Sequence, residues 1–507
     1  MNISIITTNL RICGLVRELI EMSNSLKKLG NEVTIYIYEN KKIDWINVNS
    51  TIIILNKNIK IKSDVLILMD APDNYLMPYF YNACSLFKTY IITGLDKKHC
   101  LYNVIETNSN SSTKDIEQNK LFKNYEICAD GKWQLDFLNK HNIKVGEKIG
   151  GININMFYNM NIKRTNEILI SGDTRWSKGY DMLMDLLKNE NYTTCRNTIN
   201  QSNLCKKYNE SLIYIDNHTW AGWCNPVLEA MACGCAVICT NIGATSEFAI
   251  NNETALVVEP DNIEQFKNAL KKLRTNPSLV KKLSISAQEK AKEFKYNIVI
   301  NKFNNYLETK LLNHYRNFWN NCDSHMAHID YEYIKDNPIG WVNMFLHKID
   351  FKDKVIIDYG VGNGLLGTIL FKFYNINKYI GIDIAQRQLD ITRNNLKGNN
   401  IELYLSPIDF KSLNADIFIS QAVIQHFPNL KYLTDFLLNL NNSNCKYIVL
   451  QIRHGKTSFN NILSTREDWR LACHTNKDFI NKYLINYKTI FESNISKCSS
   501  QYLIYKK

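Results

Sequence analysis

The sequence lacks the features that mark several common protein classes. No run of about 18 apolar residues occurs in the chain, which argues against a transmembrane helix. The 14 cysteines are scattered, without a CxxC pair or a Cys–His spacing typical of zinc sites, so we expect no metal and no disulfide framework. The chain starts directly with a buried-type strand, which leaves no room for a signal peptide. We therefore expect a cytoplasmic protein in a reducing compartment.

Acidic residues are outnumbered by basic ones, 49 against 61, which gives a net charge of +12. The lysines concentrate on presumed helix faces such as FKNALKKLRTNPSLVKKL, so solvated helix surface is the leading explanation. A basic cleft would also suit an anionic ligand, and a basic face could make a peripheral contact with acidic membrane lipid. No nucleic-acid-binding motif or aromatic–basic interleave is present, and we expect no nucleic-acid partner.

The most informative stretch, residues 221–256, reads AGWCNPVLEAMACGCAVICTNIGATSEFAINNETAL. Pro226 stands where a helix should begin and Gly234 where it should end. The following CAVICT is a short apolar run of the kind that forms a buried parallel strand. A second small-residue loop, residues 243–247, opens another short helix, so two helix N-termini could present N–H groups to one anion. We expect diphosphate as the ligand.

This stretch resembles the donor site of retaining glycosyltransferases with the two-lobed GT-B fold, in particular the family that carries a Glu, seven residues and a second Glu. Glu229 falls on the second Glu, which in the family grips the donor ribose. The first Glu falls on Ala221 and is missing. The resemblance implies a nucleotide-sugar donor as co-substrate, and the donor-binding residues it implies besides Glu229 are Gly14, Gly222, Asn225, Gly243 and Ala244.

The resemblance covers roughly the first 310 residues. The stretch ILISGDTRWSKGYDMLMDLL, residues 168–187, resembles the strand, loop and helix that carry a basic pair onto the donor phosphates. Lys178 falls on the family lysine, whereas the arginine position is Asp173, which makes Arg175 a candidate substitute. A catalytic or donor-contacting His of many relatives falls on Leu95.

The missing side chains leave two alternatives open. Retaining enzymes of this kind are thought to need no protein nucleophile, because electrostatic stabilisation of the leaving diphosphate carries much of the catalysis. The first half could therefore be an active transferase despite Ala221 and Leu95, or a catalytically degenerate sugar-binding module.

The motifs after about residue 330 indicate a second, different kind of ligand-binding domain. The stretch KVIIDYGVGNGLLGTILFKFY, residues 354–374, reads as a buried strand ending in Asp358, a loop with Gly360, Gly362 and Gly364, and a helix. Glycines suit a backbone that bends sharply and lies against a ligand. Asp383 ends the next strand, where a carboxylate can accept both ribose hydroxyls. The glycine loop alone is compatible with a dinucleotide or with S-adenosylmethionine.

The whole series resembles class I S-adenosylmethionine-dependent methyltransferases. The resemblance implies that Asp383 binds the ribose, that Asp409 neighbours the adenine and that Gln421 lies on the cofactor side. His426, in the loop after the predicted fourth strand, occupies the position of the general base in some sugar O-methyltransferases. A hydroxyl needs such a base because it is a poor nucleophile until its proton begins to leave. A His here also occurs in relatives where it only packs or caps.

Together these features predict an α/β protein of three Rossmann-like lobes. We expect a first GT-B lobe over residues 1–160, a donor lobe over 161–312 and a methyltransferase domain over 313–507. The function they predict is a bifunctional enzyme that transfers a sugar to a glycan or glycoconjugate acceptor and methylates a sugar hydroxyl. The alternatives are a glycan methyltransferase with a degenerate GT-B module, or a methyltransferase acting on RNA or protein.

Overall fold

The computed structural model describes residues 1–11, 13–39, 45–69, 75–92, 113–174, 179–195, 200–219, 221–321, 347–459, 473–495 and 500–507. The chain divides into two compact units, a first unit Asn2–Thr309 and a second unit Lys310–Lys507. Within the described ranges, no helix combines enough length with enough apolar character to span a membrane.

The first unit opens with a parallel sheet of seven strands in the order β3-β2-β1-β4-β5-β6-β7. The central strand carries Ile3, Ile5 and Ile6, each at most 1% exposed, as expected for a parallel strand covered on both faces. The strand order reverses beside β1, so the loop before α1 lies at a switch point where ligands bind in such sheets. The elements are β1 (Asn2–Thr7), α1 (Gly14–Lys28), β2 (Glu32–Ile37), β3 (Thr51–Ile54), β4 (Lys62–Leu68), α2 (Met77–Asn82), β5 (Cys84–Ile92), α3 (Thr113–Asn124), β6 (Glu126–Ala129), α4 (Lys132–Lys140) and β7 (Val145–Lys148).

A second parallel sheet of five strands, in the order β12-β11-β10-β8-β9, completes the first unit. Its switch point lies between β8 and β10. The elements are β8 (Asn166–Ile170), α5 (Tyr180–Leu186), β9 (Tyr192–Thr194), α6 (Gln201–Glu210), β10 (Ser211–Asp216), α7 (Asn225–Ala232), β11 (Ala236–Thr240), a 3₁₀ helix (Gly243–Glu247), β12 (Leu256–Val258), α8 (Ile263–Thr275), α9 (Pro277–Lys292) and α10 (Tyr296–Asn321), whose last residues belong to the second unit.

Helix α7 has the ends that the sequence predicts. Pro226 stands in its first turn, and Gly234 follows its end with a φ of +81°, a left-handed conformation that glycine adopts without strain. The Arg164 guanidinium donates to the carbonyls of Cys233 and Gly234 at 2.9 and 2.8 Å. A cation at a helix C-terminus satisfies the last carbonyls and the helix dipole, so this end of α7 is fixed.

The second unit holds a seven-stranded sheet in the order β15-β14-β13-β16-β17-β21-β20, parallel except for β21, which is antiparallel to both of its neighbours. The side chains of β13 alternate between two hydrophobic cores, with Ile357 in one and Ile356 in the other. The elements are β13 (Val355–Tyr359), α11 (Leu365–Tyr374), β14 (Lys378–Asp383), α12 (Gln386–Asn395), β15 (Ile401–Leu405), a 3₁₀ helix (Phe410–Ser412), β16 (Ile417–Ser420), a 3₁₀ helix (Ile424–His426), α13 (Leu430–Asn441), β17 (Tyr447–Arg453), β18 (Ser458–Phe459), β19 (Cys473–His474), α14 (Lys477–Asn481), β20 (Lys488–Glu492) and β21 (Ser500–Lys506).

The predicted fold class is confirmed, because three Rossmann-like sheets follow one another along the chain. The domain bounds at residues 160 and 312 stay predictions. Residues 313–321, expected to begin the methyltransferase domain, continue helix α10, and residues 322–346 lie outside the described part of the chain.

Candidate functional sites

The glycine loop after β13 has the sharp bends that the sequence predicts. Gly360, Gly362 and Gly364 all have positive φ, +82°, +54° and +81°. A Cβ on Gly360 would lie 2.1 Å from Cγ2 of Val423, whereas one on Gly362 would meet nothing within 4 Å. Gly360 is therefore required by packing as well as by its backbone, and Gly362 borders open space that a ligand could enter.

Asp383 ends β14 and is tied to this loop. Its Oδ2 accepts the N–H of Gly362 at 3.0 Å and its Oδ1 accepts the N–H of Ala385 at 2.9 Å. Burial raises the pKa of this carboxyl, and the backbone N–H groups that donate to it oppose the rise. An ionised carboxylate offers about four acceptor positions, so Asp383 can still accept two ribose hydroxyls.

Asp358, on β13, is buried with 4% of its surface exposed. The hydroxyl of Tyr379 donates to it. Burial raises the pKa of Asp358 to about 7, and the negative charge of Asp383 pushes in the same direction. This carboxyl therefore changes its charge near neutral pH.

These residues meet in one cavity of about 550 Å³ at the carboxyl ends of the strands. Six predicted residues line it: Asp358, Gly360, Gly362, Asp383, Gln421 and His426. A cavity of this size at the switch point between β13 and β16 is where a nucleoside ligand is expected in such a sheet.

Two predicted cofactor residues do not line this cavity. Gly364 packs against Thr392, whose Cγ2 would lie 3.0 Å from a Cβ on that glycine. Asp409 is exposed and accepts the N–H of Lys411 at 3.0 Å, which caps the 3₁₀ helix Phe410–Ser412. The short side chain of Asp409 thus bonds to neighbouring backbone, and its place beside an adenine stays a prediction.

His426 and two residues of α10 also line this cavity. The Trp319 ring meets the His426 ring edge to face, with centroids 5.1 Å apart, and Tyr315 lines the same cavity. Nε2 of Gln425 lies 3.3 Å from Nε2 of His426. Sequence reasoning missed Tyr315 and Trp319 as site residues, although the aromatic-rich stretch 313–321 was a signal for them.

In the first unit, the predicted donor residues come from three loops that meet. A Cβ on Gly14 would lie 3.7 Å from Nδ2 of Asn225, so the loop before α1 faces the start of α7. The N–H of Ala244 donates to the carbonyl of Gly222 at 2.9 Å. Gly243 has a φ of +53°, and a Cβ there would lie only 2.0 Å from the Ala221 carbonyl oxygen. The loops before α7 and before the 3₁₀ helix Gly243–Glu247 are therefore hydrogen-bonded to each other. This bond uses the Ala244 N–H, one of the groups predicted to bind an anion.

Glu229 is 3% exposed and already has partners on both carboxylate oxygens. The Arg17 guanidinium donates to Oε1, and the Tyr208 hydroxyl donates to Oε2 at 3.2 Å. Arg17 also lies over the Phe157 ring, 5.5 Å from its centroid. Burial raises the pKa of Glu229, against the pull of the Arg17 charge. A ribose hydroxyl would therefore have to share this carboxylate with Arg17, a residue that sequence reasoning missed.

Three residues that the sequence analysis names at this site, Arg175, Lys178 and Leu95, lie outside the described residues. Gly179, directly after Lys178, has a φ of +55°, and a Cβ there would lie 2.1 Å from Nδ2 of Asn217. The chain thus turns tightly as it enters α5, next to the loop that follows β10.

Two parts of the chain match known families. Residues 158–290 match the family described as "Glycosyl transferases group 1", and residues 350–494 match the family described as "Methyltransferase domain". In fold, the chain is similar to a sucrose-phosphate synthase from Thermosynechococcus elongatus, with a TM-score of 0.50 and 13% identity over 61% of this chain and 98% of that one.

The chain is also similar in sequence, over a short stretch, to ribosomal protein L11 methyltransferases. That of Shewanella sediminis is 35% identical over 83 residues, and that of a Marinomonas strain is 38% identical over 84 residues. Each match covers 16% of this chain, and the chain spans only 28% of the length of these relatives.

Proposed function

We propose that this chain, a transferase that carries both a group 1 glycosyltransferase domain and a methyltransferase domain, is a bifunctional glycan-modifying enzyme. One site transfers a sugar from a nucleotide-sugar donor with retention, and the other methylates a sugar hydroxyl. The observation that carries the proposal is the cavity of the second unit, where a glycine loop and a strand-end acid meet at a switch point.

In the methyltransferase site, Asp383 is assigned to the ribose and the backbone at Gly362 to close contact with the cofactor. S-adenosylmethionine, when bound, supplies an electrophilic methyl group. Asp358 lines the same cavity and can carry a negative charge above a pH of about 7, which would attract the cationic end of the cofactor.

His426 is assigned the role of general base for the acceptor hydroxyl. Imidazole is the most frequent general base in enzymes, and this one lines the same cavity as the glycine loop. Its edge-to-face contact with Trp319 limits the rotation of the ring, so a proton could be removed at a fixed position. Trp319 and Tyr315 give the acceptor side the aromatic surfaces on which sugar rings can lie.

In the first unit, Glu229 is assigned to the donor ribose and Lys178 with Arg175 to the leaving diphosphate. Cations beside the departing diphosphate stabilise the charge that develops on it, which is the main catalytic need of this reaction. Gly14 and Asn225, which face each other across the loops, are assigned to the donor as well. The transfer step needs no metal in this proposal.

The decisive experiment combines both co-substrates. We expect the pure chain, incubated with labelled S-adenosylmethionine and a nucleotide-sugar library, to give a product that carries both the new sugar and the labelled methyl group in mass spectrometry. Fusion of the two domains is explained if the product of one site is the substrate of the other. Methylation of free small molecules alone, with no glycosylated product, would contradict this coupling.

A degenerate donor module is the second candidate function, favoured by two observations. Ala221 stands where the family has its first Glu, and the Glu229 carboxylate is already bonded to Arg17 and Tyr208. Calorimetry with a panel of nucleotide sugars separates the two functions. Tight donor binding together with donor hydrolysis is expected of an active transferase, whereas binding of a glycan without donor hydrolysis indicates the module.

A protein substrate for the methyltransferase is a further candidate, favoured by the similarity to ribosomal protein L11 methyltransferases, and an RNA substrate is another, favoured by the net charge of +12. Methyl transfer to purified ribosomal proteins tests the protein substrate. An RNA substrate predicts binding that weakens steeply with salt. Absence of RNA binding at low salt and of label in ribosomal proteins would leave the glycan as the acceptor.

A further inference from the structure

Three potential metal ligands of different chemistry meet in the core of the donor lobe. Asp216 is the last residue of β10, His218 follows two residues later, and Cys224 caps the start of α7. Each offers one ligand atom, and these atoms lie within 4.8 Å of one another. The residues are 2%, 1% and 6% exposed. No other group in this lobe, within the described residues, combines three such side chains.

The three ligand atoms are close enough to share one ion once His218 and Asp216, which are in direct hydrogen-bond contact, move apart. Nδ1 of His218 lies against Oδ1 of Asp216, and Sγ of Cys224 is 3.9 Å from the same oxygen. Zinc bonds of about 2.0–2.3 Å place tetrahedral ligands roughly 3.3–3.8 Å apart. A small movement of the imidazole away from Asp216 would therefore admit an ion between the three atoms.

Hydrogen bonds from neighbouring side chains hold the Asp216 carboxylate and the backbone of His218 in place. The Tyr214 hydroxyl donates to Oδ2 of Asp216 at 3.2 Å, and the backbone N–H of His218 donates to Oδ1 at 3.2 Å. The Thr240 hydroxyl donates to the His218 carbonyl at 2.6 Å. Such outer contacts fix ligand orientation and strengthen metal binding.

Cys224 has a backbone conformation that favours glycine. Its φ is +55° and its ψ is 56°, in the left-handed region. A residue other than glycine pays about 1–3 kcal/mol for such a conformation, which persists where the surroundings require it. A metal ion bound by the Cys224 thiolate would be such a requirement. A divalent cation would also compensate the buried negative charge of Asp216 in an otherwise apolar core.

We propose that Asp216, His218 and Cys224 bind one Zn²⁺ ion, with a fourth coordination position left open. One oxygen, one nitrogen and one sulfur ligand suit zinc better than magnesium or calcium, which prefer oxygen. The ion links the end of β10 to the first turn of α7 and so fixes the loop that carries Gly222. The inference goes beyond the proposed function, because neither sugar transfer nor methylation requires this ion.

Zinc content of the full chain tests the proposal. After incubation with zinc sulfate and gel filtration, we expect about one zinc per chain by plasma mass spectrometry. With cobalt sulfate in place of zinc, the thiolate of Cys224 should give a charge-transfer absorption band. Cys224→Ser should abolish this band, and His218→Gln should weaken metal binding by more than about tenfold. Cys235→Ala, which removes a buried thiol just beyond the other end of α7, is the matched control and should bind metal as the native chain does.

A native chain without stoichiometric zinc, or a Cys224→Ser chain with an unchanged cobalt band, would overturn the proposal. If either ligand variant fails to fold, Tyr214→Phe decides, because it keeps the ring in the core and removes only the hydroxyl that holds Asp216. We expect about ten- to hundredfold weaker zinc binding by Tyr214→Phe. An unchanged affinity would refute the site. Metal binding is measured without any transferase assay, so its failure is distinct from failure of the proposed function.

Discussion

The buried cation Arg17 is the charge partner of Glu229, a predicted donor-site residue. Its guanidinium bonds to Glu229, which lies 212 positions away along the chain, and the pair is largely removed from water. Burying two charges costs free energy that is recovered only while both are present. The pair therefore matters for stability as well as for the donor site.

Arg17→Ala should destabilise the first unit by about 3–5 kcal/mol, because it leaves the Glu229 carboxylate buried without its cation. The free energy of unfolding from urea titrations of the full chain measures this. Arg274→Ala is the matched control, since Arg274 pairs with Glu167 and Glu190 at the surface and should cost at most about 1 kcal/mol. The double change Arg17→Met with Glu229→Gln should recover most of the loss. Equal costs for the two single arginine variants would contradict a buried pair.

Asp358 should make the stability of the second unit fall as pH rises. Its pKa in the folded chain is about 7, above the ordinary value of 3.8, so the folded state holds a proton that the unfolded state has released. The stabilisation is fully present below a pH of about 4 and is lost as pH rises through about 7, by roughly 4 kcal/mol in all. Asp358→Asn should flatten this part of the stability profile, measured by denaturation between about pH 4 and pH 8. An unchanged slope in the variant would refute the raised pKa.

At the scale of elements, the glycine loop after β13 permits a matched test. Gly362 and Gly398 both have positive φ, and a Cβ on either would meet nothing within 4 Å. Alanine at either position should cost the fold about 1–2 kcal/mol for the left-handed backbone. Only Gly362→Ala should also weaken S-adenosylmethionine binding, by more than about tenfold, because its methyl group enters the cavity. Calorimetric titration of both variants measures this, and equal affinities would contradict close contact of the loop with the cofactor.

Elements that depend on local backbone chemistry were predictable from the sequence. Pro226 and Gly234 bounded α7 correctly because one fixes φ and the other accepts a left-handed φ. Contacts between distant segments were not predictable, because no local pattern encodes them. The Arg17 bond to Glu229 and the Trp319 contact with His426 are of this kind. The capping bond of Asp409 was not predicted either, and its place beside an adenine stays a prediction.

At the scale of the whole molecule, the division into two compact units determines how variants should behave. Each unit has its own sheets and hydrophobic cores, and each contains one of the two proposed sites. A change confined to one site should therefore leave the chemistry of the other unit intact. The cluster of Asp216, His218 and Cys224 was not predicted from the sequence, because its spacing is Asp-x-His-x₅-Cys rather than a CxxC pair.

Glu229→Ala and Asp383→Ala should separate the two activities. Glu229→Ala should reduce sugar transfer more than about a hundredfold and leave methylation unchanged, because the donor contact is lost and Arg17 is left buried without its counter-charge, both in the first unit only. Asp383→Ala should do the reverse, since two ribose hydroxyls lose their acceptor at roughly 1.5–3 kcal/mol each. Parallel assays with labelled nucleotide sugars and labelled S-adenosylmethionine measure both rates. Asp390→Ala, an exposed change on α12 beyond the cavity, is the control and should alter neither. Loss of both activities in either single-site variant would mean that the two units depend on each other for folding or for substrate, and the independent assignment of the two sites would fail.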